Sequence, residues 1–325
     1  MNIENLKLRA GILRTIRHFF DERGFIEVAT PLLSAEAIAD RYVEPLAVDH
    51  PTLPHRPMFL QTSPELPMKR LLAAGMESIY QLGPVFRPGD RGERHNVEFT
   101  MLEWYRLGDD YAAGREFLGE FLHEILGRGL PDERTFEDVF YDAAAINPHT
   151  ATPASLQAIA DARGIAYPDS FRQTDDAGAW IDLLFSELVQ PYLGLKTPTL
   201  VYDFPAWQSQ LARTRIDTLP ANGRREITQR FEIFVDGLEL ANGYDELTDA
   251  TILTKRLQEV NALRIADGHH AIPQERFLAA MRTHEDGSPA LPPCCGCALG
   301  VDRLLMIMLG ASRIDDVLTF PIESA

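Results

Sequence analysis

The chain has 325 residues, 45% of them hydrophobic, with 31 Lys and Arg against 48 Asp and Glu and a net charge of −17. That apolar fraction can bury a large core within one long domain, while the acidic balance disfavours a broad nucleic-acid-binding face, which gains its affinity by neutralising phosphates. There is no signal-like amino terminus and no apolar run long enough to span a bilayer, so a cytoplasmic protein that engages no membrane is expected.

In chain order, Leu6, Ile12, Leu13, Ile16, Phe19 and Phe20 recur at helical spacing and predict an amphipathic first helix. After Gly24-Phe25-Ile26-Glu27-Val28-Ala29-Thr30-Pro31-Leu32-Leu33 and Thr62-Ser63-Pro64-Glu65 comes the segment from Phe86-Arg87 to Tyr105. It reads as strand, polar loop, strand, with Gly89 and Gly92 punctuating a loop that presents Arg87, Arg91 and Arg94 before His95-Asn96. Arginine suits a polyphosphate because its planar fork donates in pairs and keeps its charge; a solvated basic loop is the plainer alternative. Helices are predicted over 111–126, 153–163 and 177–193, with Gly127, Gly129 and Gly164 as stops, and a short buried strand over 198–205.

Glu232, Glu239 and Glu246 recur every seven residues, but Asp236-Gly237 between apolar and branched residues marks a two-residue hairpin turn. Pairing Val235 with Leu238 and Phe234 with Glu239 puts Glu232 on the same face as Glu239. Two converging carboxylates repel unless a cation intervenes, which makes them a candidate Mg²⁺ site; a solvated acidic face is the alternative. Near the end, Gly296 and Gly300 precede a helix marked by Val301, Leu304, Leu305, Met308 and Leu309, with Arg303 off its apolar stripe. Glycines before a helix admit a phosphate to free N–H groups, although an ordinary turn would read the same way. Cys294, Cys295 and Cys297 lack a fourth ligand, so buried thiols are expected in place of zinc.

Phe86-Arg87 with His95-Asn96 and Glu98-Phe99-Thr100-Met101-Leu102-Glu103, then Gly300-Val301-Asp302-Arg303, resemble motifs 2 and 3 of the class II aminoacyl-tRNA synthetases in their lysyl form. The segment from Gly24 to Leu33 resembles motif 1, and Thr62-Ser63-Pro64-Glu65 matches a substrate loop. The resemblance implies an α+β fold, an antiparallel sheet flanked by helices. It further implies one catalytic domain over 1–325, a helical insertion at about 109–195 and a homodimer built through motif 1. Motif 1 begins so early in the sequence that no anticodon-binding OB-fold is expected.

By the same resemblance, Arg87 and Arg303 are catalytic and hold a bent ATP, with Gly89, His95, Asn96, Glu239, Leu240 and Gly300 around the nucleotide. Glu232 and Glu239 match the metal-holding acids; Ser63, Pro64 and Glu65 address the backbone amine; Glu103, Tyr105 and Glu246 surround the side-chain ammonium of lysine. An ammonium pocket needs opposing charge, because an unpaired buried cation is costly.

Two departures stand out. Gly89 replaces the glutamate that meets adenine in the family, leaving backbone contact or a shifted Asp90, and Ala298 occupies a position where lysyl synthetases usually have glycine. Ala298 and the missing OB-fold make the chain similar to the lysyl-tRNA synthetase paralogues that modify a protein. This implies ATP-dependent activation of (R)-β-lysine, or lysine, and transfer to a lysine side chain of elongation factor P, with tRNA disfavoured. The alternatives are a truncated synthetase-like ligase acting on tRNA or a small molecule, and a non-catalytic paralogue, which would be expected to lose the arginines or metal acids that this chain keeps.

Overall fold

The computed structural model describes residues 3–49, 57–89, 91–219 and 223–325. In chain order the elements are α1 (Ile3–Asp21), β1 (Ile26–Glu27), β2 (Leu33–Ser34), β3 (Ala47–Val48), β4 (Met58–Leu60), α2 (Glu65–Ala73), β5 (Ile79–Phe86), β6 (Glu98–Leu107) and α3 (Tyr111–Leu126). Then follow β7 (Asp132–Thr135), α4 (Phe136–Ala144), α5 (Pro153–Arg163), α6 (Ala177–Leu184), β8 (Thr199–Pro205), β9 (Thr214–Leu219), β10 (Gly223–Val235) and β11 (Leu238–Asp245). The chain closes with α7 (Ala250–Ala266), α8 (Glu275–Ala280), β12 (Cys294–Gly300) and α9 (Val301–Leu309). It divides into two compact units, Met1–Gly114 with Asp245–Ala325, and Arg115–Tyr244.

In the first unit the strand order is β1-β5-β6-β12, parallel only between β1 and β5, and β2-β4-β3 form a small separate sheet. The apolar stripe of α1 explains its seat: Ile16, Phe19 and Phe20 are buried, and Phe20 stacks on Tyr80 of β5 at 4.7 Å and meets Trp104 of β6 at 5.4 Å. Burying one such ring contributes roughly 1.5–3 kcal/mol. Side chains alternate along β6, so Trp104 faces this aromatic cluster while Glu103 and Tyr105 face the other way.

In the second unit the order is β11-β10-β8-β7, with β9 along the start of β10 and a parallel pairing only between β7 and β8. Phe136, Phe140, Leu156, Trp180, Ile181 and Leu184 of α4 to α6 pack with Val201, Phe204 and Phe234 of the strands. Both units thus carry the mostly antiparallel strands and flanking helices expected of an α+β fold. The predicted helices at 111–126 and 153–163 form with those bounds, the second held by a Thr152/Ser155 capping box, Pro153 in its first turn and left-handed Gly164. The helix predicted over 177–193 is shorter: α6 stops at Leu184, a wide π turn runs over Phe185–Val189, and Pro191, which has no N–H to donate, sits in a final 3₁₀ turn.

The hairpin forms as predicted. Asp236 and Gly237 both adopt positive φ, the geometry of a tight two-residue turn, and Val235 pairs with Leu238 and Phe234 with Glu239. One bulge follows, so that Ile233 faces Ala241 and Glu232 faces Asn242. Leu240 is the extra residue, and Glu239 and Asn242 come to share the face of Glu232. Among the described residues, no helix is long and apolar enough to cross a membrane.

Candidate active site

The register of β5, β6 and β12 builds a pocket floor. Glu103 lies opposite Gln81 and Ala298, and Tyr105 opposite Ile79 and Gly296, so Glu103, Tyr105, Gly296 and Ala298 share one face. A Cβ built on Gly296 would collide with Glu246 Oε1 and the Tyr105 ring, so only a bare backbone lets these two groups meet there. Glu246 is placed beside this floor by its backbone N–H, which donates to Cys294 O at 3.1 Å. From another side comes α2, entered through Ser63 and Pro64: Ser63 Oγ accepts the Glu65 N–H at 3.1 Å, and Glu65 occupies the first helical turn.

Lys69, one turn later on α2, completes the cluster. Its Nζ lies 2.6 Å from Glu65 Oε1 and 2.6 Å from Glu246 Oε2, and 5.7 Å from the centre of the Tyr105 ring. Tyr105 Oη donates to Glu103 Oε1 at 2.6 Å, while the buried Glu103 Oε2 has no hydrogen-bond partner among the described residues. Burial, reinforced by the Glu65 charge and opposed by the Tyr105 hydroxyl and Lys69, pushes Glu103 up to about 8. Burial raises Glu246 to about 7 against the pull of Lys69. Burial works against the Lys69 ammonium too, yet Glu246 and Glu65 outweigh it and hold its pKa above the ordinary lysine value. Ser63, Pro64, Glu65, Glu103, Tyr105, Glu246 and Ala298 are therefore brought together. Lys69 was not anticipated: its only sequence signal is a Glu-to-Lys spacing of four, which usually marks a surface pair.

The arginines of the two motifs lie on the same unit. Arg87 leaves the end of β5 with its N–H bonded to Val97 O at 2.8 Å, and its guanidinium sits 5.4 Å from the Phe99 ring and donates to Thr62 O at 3.4 Å. Arg303, in the first turn of α9, contacts His95 through Nη2 and the ring Nε2, so the loop of one motif meets the helix of the other. Gly300 caps α9 with no side chain of its own, and a Cβ there would meet nothing closer than Arg303 Cδ at 3.7 Å, which leaves the helix start open to a ligand. Asp302 is buried beside it, accepting the Thr100 N–H at 2.6 Å and the guanidinium of Arg9 from α1. Arg9 and Asp302 thus tie the start of α9 to α1 and to Thr100 of β6, a link the sequence pattern did not reveal.

Other residues of the basic loop point elsewhere. Asn96 donates to Glu98 O at 2.7 Å and accepts the Ile322 N–H at 3.2 Å, so its side chain faces the C-terminal segment. Arg91 is ion-paired with Glu323 at 2.6 Å and Asp315 at 3.1 Å, which neutralises much of the expected basic cluster. Gly89 is exposed, and Asp90 lies outside the described residues.

In the second unit, Glu232 is buried and pairs with Arg230, two residues earlier on the same strand face. Burial raises Glu232 to about 7, opposed by Arg230 and reinforced by the Glu239 carboxylate and by Asp182. Asn242 accepts from Arg230 Nε at 3.2 Å on the same face. No group of three or more His, Cys, Asp or Glu able to hold a metal occurs among the described residues. Two carboxylates that repel one another still form a donor set that fits magnesium, which typically takes one or two carboxylates and fills its shell with water and phosphate. Cys294, Cys295 and Cys297 are buried and form no disulfide among the described residues.

A pocket of carboxylates on an antiparallel sheet, beside an arginine after a strand and another at a helix start, is the layout of a class II synthetase core. The chain belongs to the class II tRNA synthetases of the D, K and N group, whose family profile matches residues 2–324. Its sequence is 38% identical over 331 residues to the elongation factor P-(R)-beta-lysine ligase of Proteus mirabilis, covering 100% of this chain and 97% of that protein. The ligases of the same name from Vibrio cholerae and Yersinia enterocolitica are 38% and 39% identical, over 100% and 99% of this chain and 97% and 96% of those proteins.

Proposed function

We propose that this protein is an ATP-dependent ligase of the cytoplasm that activates (R)-β-lysine, or lysine, as the aminoacyl-adenylate and transfers it to a lysine side chain of elongation factor P. The observation that carries the reading is the buried Glu103–Tyr105–Glu246 cluster, whose unpartnered Glu103 Oε2 suits a substrate ammonium. The full-length likeness to ligases of that name supports the acceptor.

In the first step the amino acid carboxylate attacks the α-phosphorus of ATP and pyrophosphate leaves. The attacking group is ionised at neutral pH, so no protein base is required, and the chain contributes orientation and charge stabilisation. Arg87 and Arg303 meet the phosphates, His95 orients Arg303, Gly300 admits the nucleotide to the start of α9, and Asn96 ties the end of the motif 2 loop to the C-terminal segment. Glu65, with Ser63 and Pro64 shaping its helix start, addresses the amine near the carboxylate, and Glu103, Tyr105 and Glu246 address the distal one. Glu232 and Glu239, with Leu240 as the bulge residue that sets their register, would hold Mg²⁺, which when bound offsets phosphate charge. In the second step an acceptor amine attacks the mixed anhydride and AMP leaves; with a lysine pKa of about 10.4, that amine must first lose a proton.

We read the whole chain as one catalytic core acting as a homodimer through α1 and the segment after it, where Ile3, Leu8 and Ile26 are exposed apolar side chains. The decisive test is ATP–pyrophosphate exchange with lysine and with β-lysine, followed by mass measurement of elongation factor P and of tRNA. Exchange with added mass on the factor is expected. Charging of tRNA in its place would sink the protein-modifying reading.

A further inference from the structure

Lys69 has no part in the chemistry above, yet it sits at the centre of the amine pocket. The residue is 2% exposed, and a buried ammonium persists only when its charge is met. It is met by two carboxylates from different parts of the chain, Glu65 on its own helix and Glu246 after β11, each at 2.6 Å. One nitrogen at that distance from both keeps the two oxygens no farther apart than twice 2.6 Å. Without the cation the two acids would repel across a buried, low-dielectric space and separate.

We propose that Lys69 is a positioning residue for substrate choice: by clamping Glu65 to Glu246 it sets the spacing between the carboxylates that receive the two ammonium groups of a diamino acid. The inference rests on the reading of this pocket as a lysine or β-lysine site. Charge supports it. Once ionised, Glu65, Glu103 and Glu246 carry three negative charges, Lys69 cancels one, and the two that remain match a substrate with two ammonium groups. Shape supports it as well. Moving the amine from the α to the β carbon brings the two ammonium groups one carbon closer, so a clamp that fixes the acids discriminates between the isomers. Glu103 Oε2, which Lys69 leaves unpartnered, is the acceptor for the distal ammonium.

Two variants of the full chain test this by ATP–pyrophosphate exchange. Lys69→Arg keeps the charge but replaces a point with a wider fork, and Lys69→Met keeps the length without the charge. Expected for Lys69→Arg is a change of about tenfold or more in the ratio of kcat/KM for β-lysine over lysine, with the KM for ATP within about twofold of wild type. Expected for Lys69→Met is a KM for both amino acids raised about tenfold or more, again with the ATP value held. A merely structural lysine would disturb ATP and amino acid together and leave the isomer ratio alone; that result overturns the proposal. Should Lys69→Met fail to fold, the isomer ratio of Lys69→Arg decides. Wild-type protein that exchanges with neither amino acid defeats the functional reading and this inference with it, whereas wild-type exchange with an unchanged ratio in Lys69→Arg defeats the inference alone.

Discussion

Glu103 and Glu246 are costly residues in the ligand-free protein. Burial lifts their pKa values to about 8 and about 7, so between the ordinary carboxylate range and those values the folded state holds protons that the unfolded chain has released. Stability from this cluster, which also includes Glu65, Lys69 and Tyr105, is therefore present at low pH and lost as pH rises through 7 to 8. On the proposed function, a diamino acid would bind the ionised carboxylates and reverse that loss. The rise in melting temperature caused by saturating lysine or β-lysine should grow from pH 6 to pH 8.5 and flatten in Glu103→Gln; a ligand effect independent of pH would count against the pocket. Ala298 makes a second residue-scale prediction. Its methyl stands opposite Glu103, on the face where the substrate would lie. Ala298→Gly should raise kcat/KM for lysine relative to β-lysine, and an unchanged ratio would remove the methyl from the account of specificity.

The elements that announced themselves in the sequence are those whose ends are chemically marked. Thr152, Pro153 and Gly164 delimit α5, and Asp236-Gly237 delimits the β10–β11 hairpin, because caps and tight turns are local chemistry. The π turn after Leu184 was not legible, since tertiary packing of Phe185 and Val189 decides it, and neither was the bulge at Leu240, which shifts the partner of Glu232 without a marker residue. Lys69 and Arg230 were missed for a related reason. Each lies one short step from a carboxylate along its own element, a pattern shared with solvated ion pairs, and only the fold shows that Lys69 is buried and that Arg230 pairs with a buried Glu232. The hairpin turn invites an element-scale test. Gly237 has a φ of 72°, and a Cβ there would come within 3.0 Å of Pro191 O. Gly237→Ala should therefore cost about 1–3 kcal/mol in urea unfolding at unchanged m. A cost near zero would mean that the turn relaxes freely.

At the scale of the molecule, the charge of −17 is matched by local cancellation. Arg91 of the basic loop is spent on Glu323 and Asp315, and elsewhere Arg9 pairs with Asp302 and Arg230 with Glu232. Helix α1 leaves Ile3 and Leu8 at 61% and 51% exposure, the apolar residues that a symmetric interface would cover. Sedimentation equilibrium should give about twice the 36.5 kDa chain mass, and Leu8→Asp should shift the protein towards monomer; a wild-type monomer at micromolar concentration would dispose of the dimer.

Gly296 also limits how this protein can change over generations. A side chain of any size at that position strikes Glu246 and Tyr105, so inherited drift in substrate choice has no gradual route through position 296. Variation must enter elsewhere, at Ala298 opposite Glu103 or at Lys69 between Glu65 and Glu246. A lineage moving between lysine and its β isomer would therefore be expected to record the move at positions 69 and 298 while position 296 stays glycine.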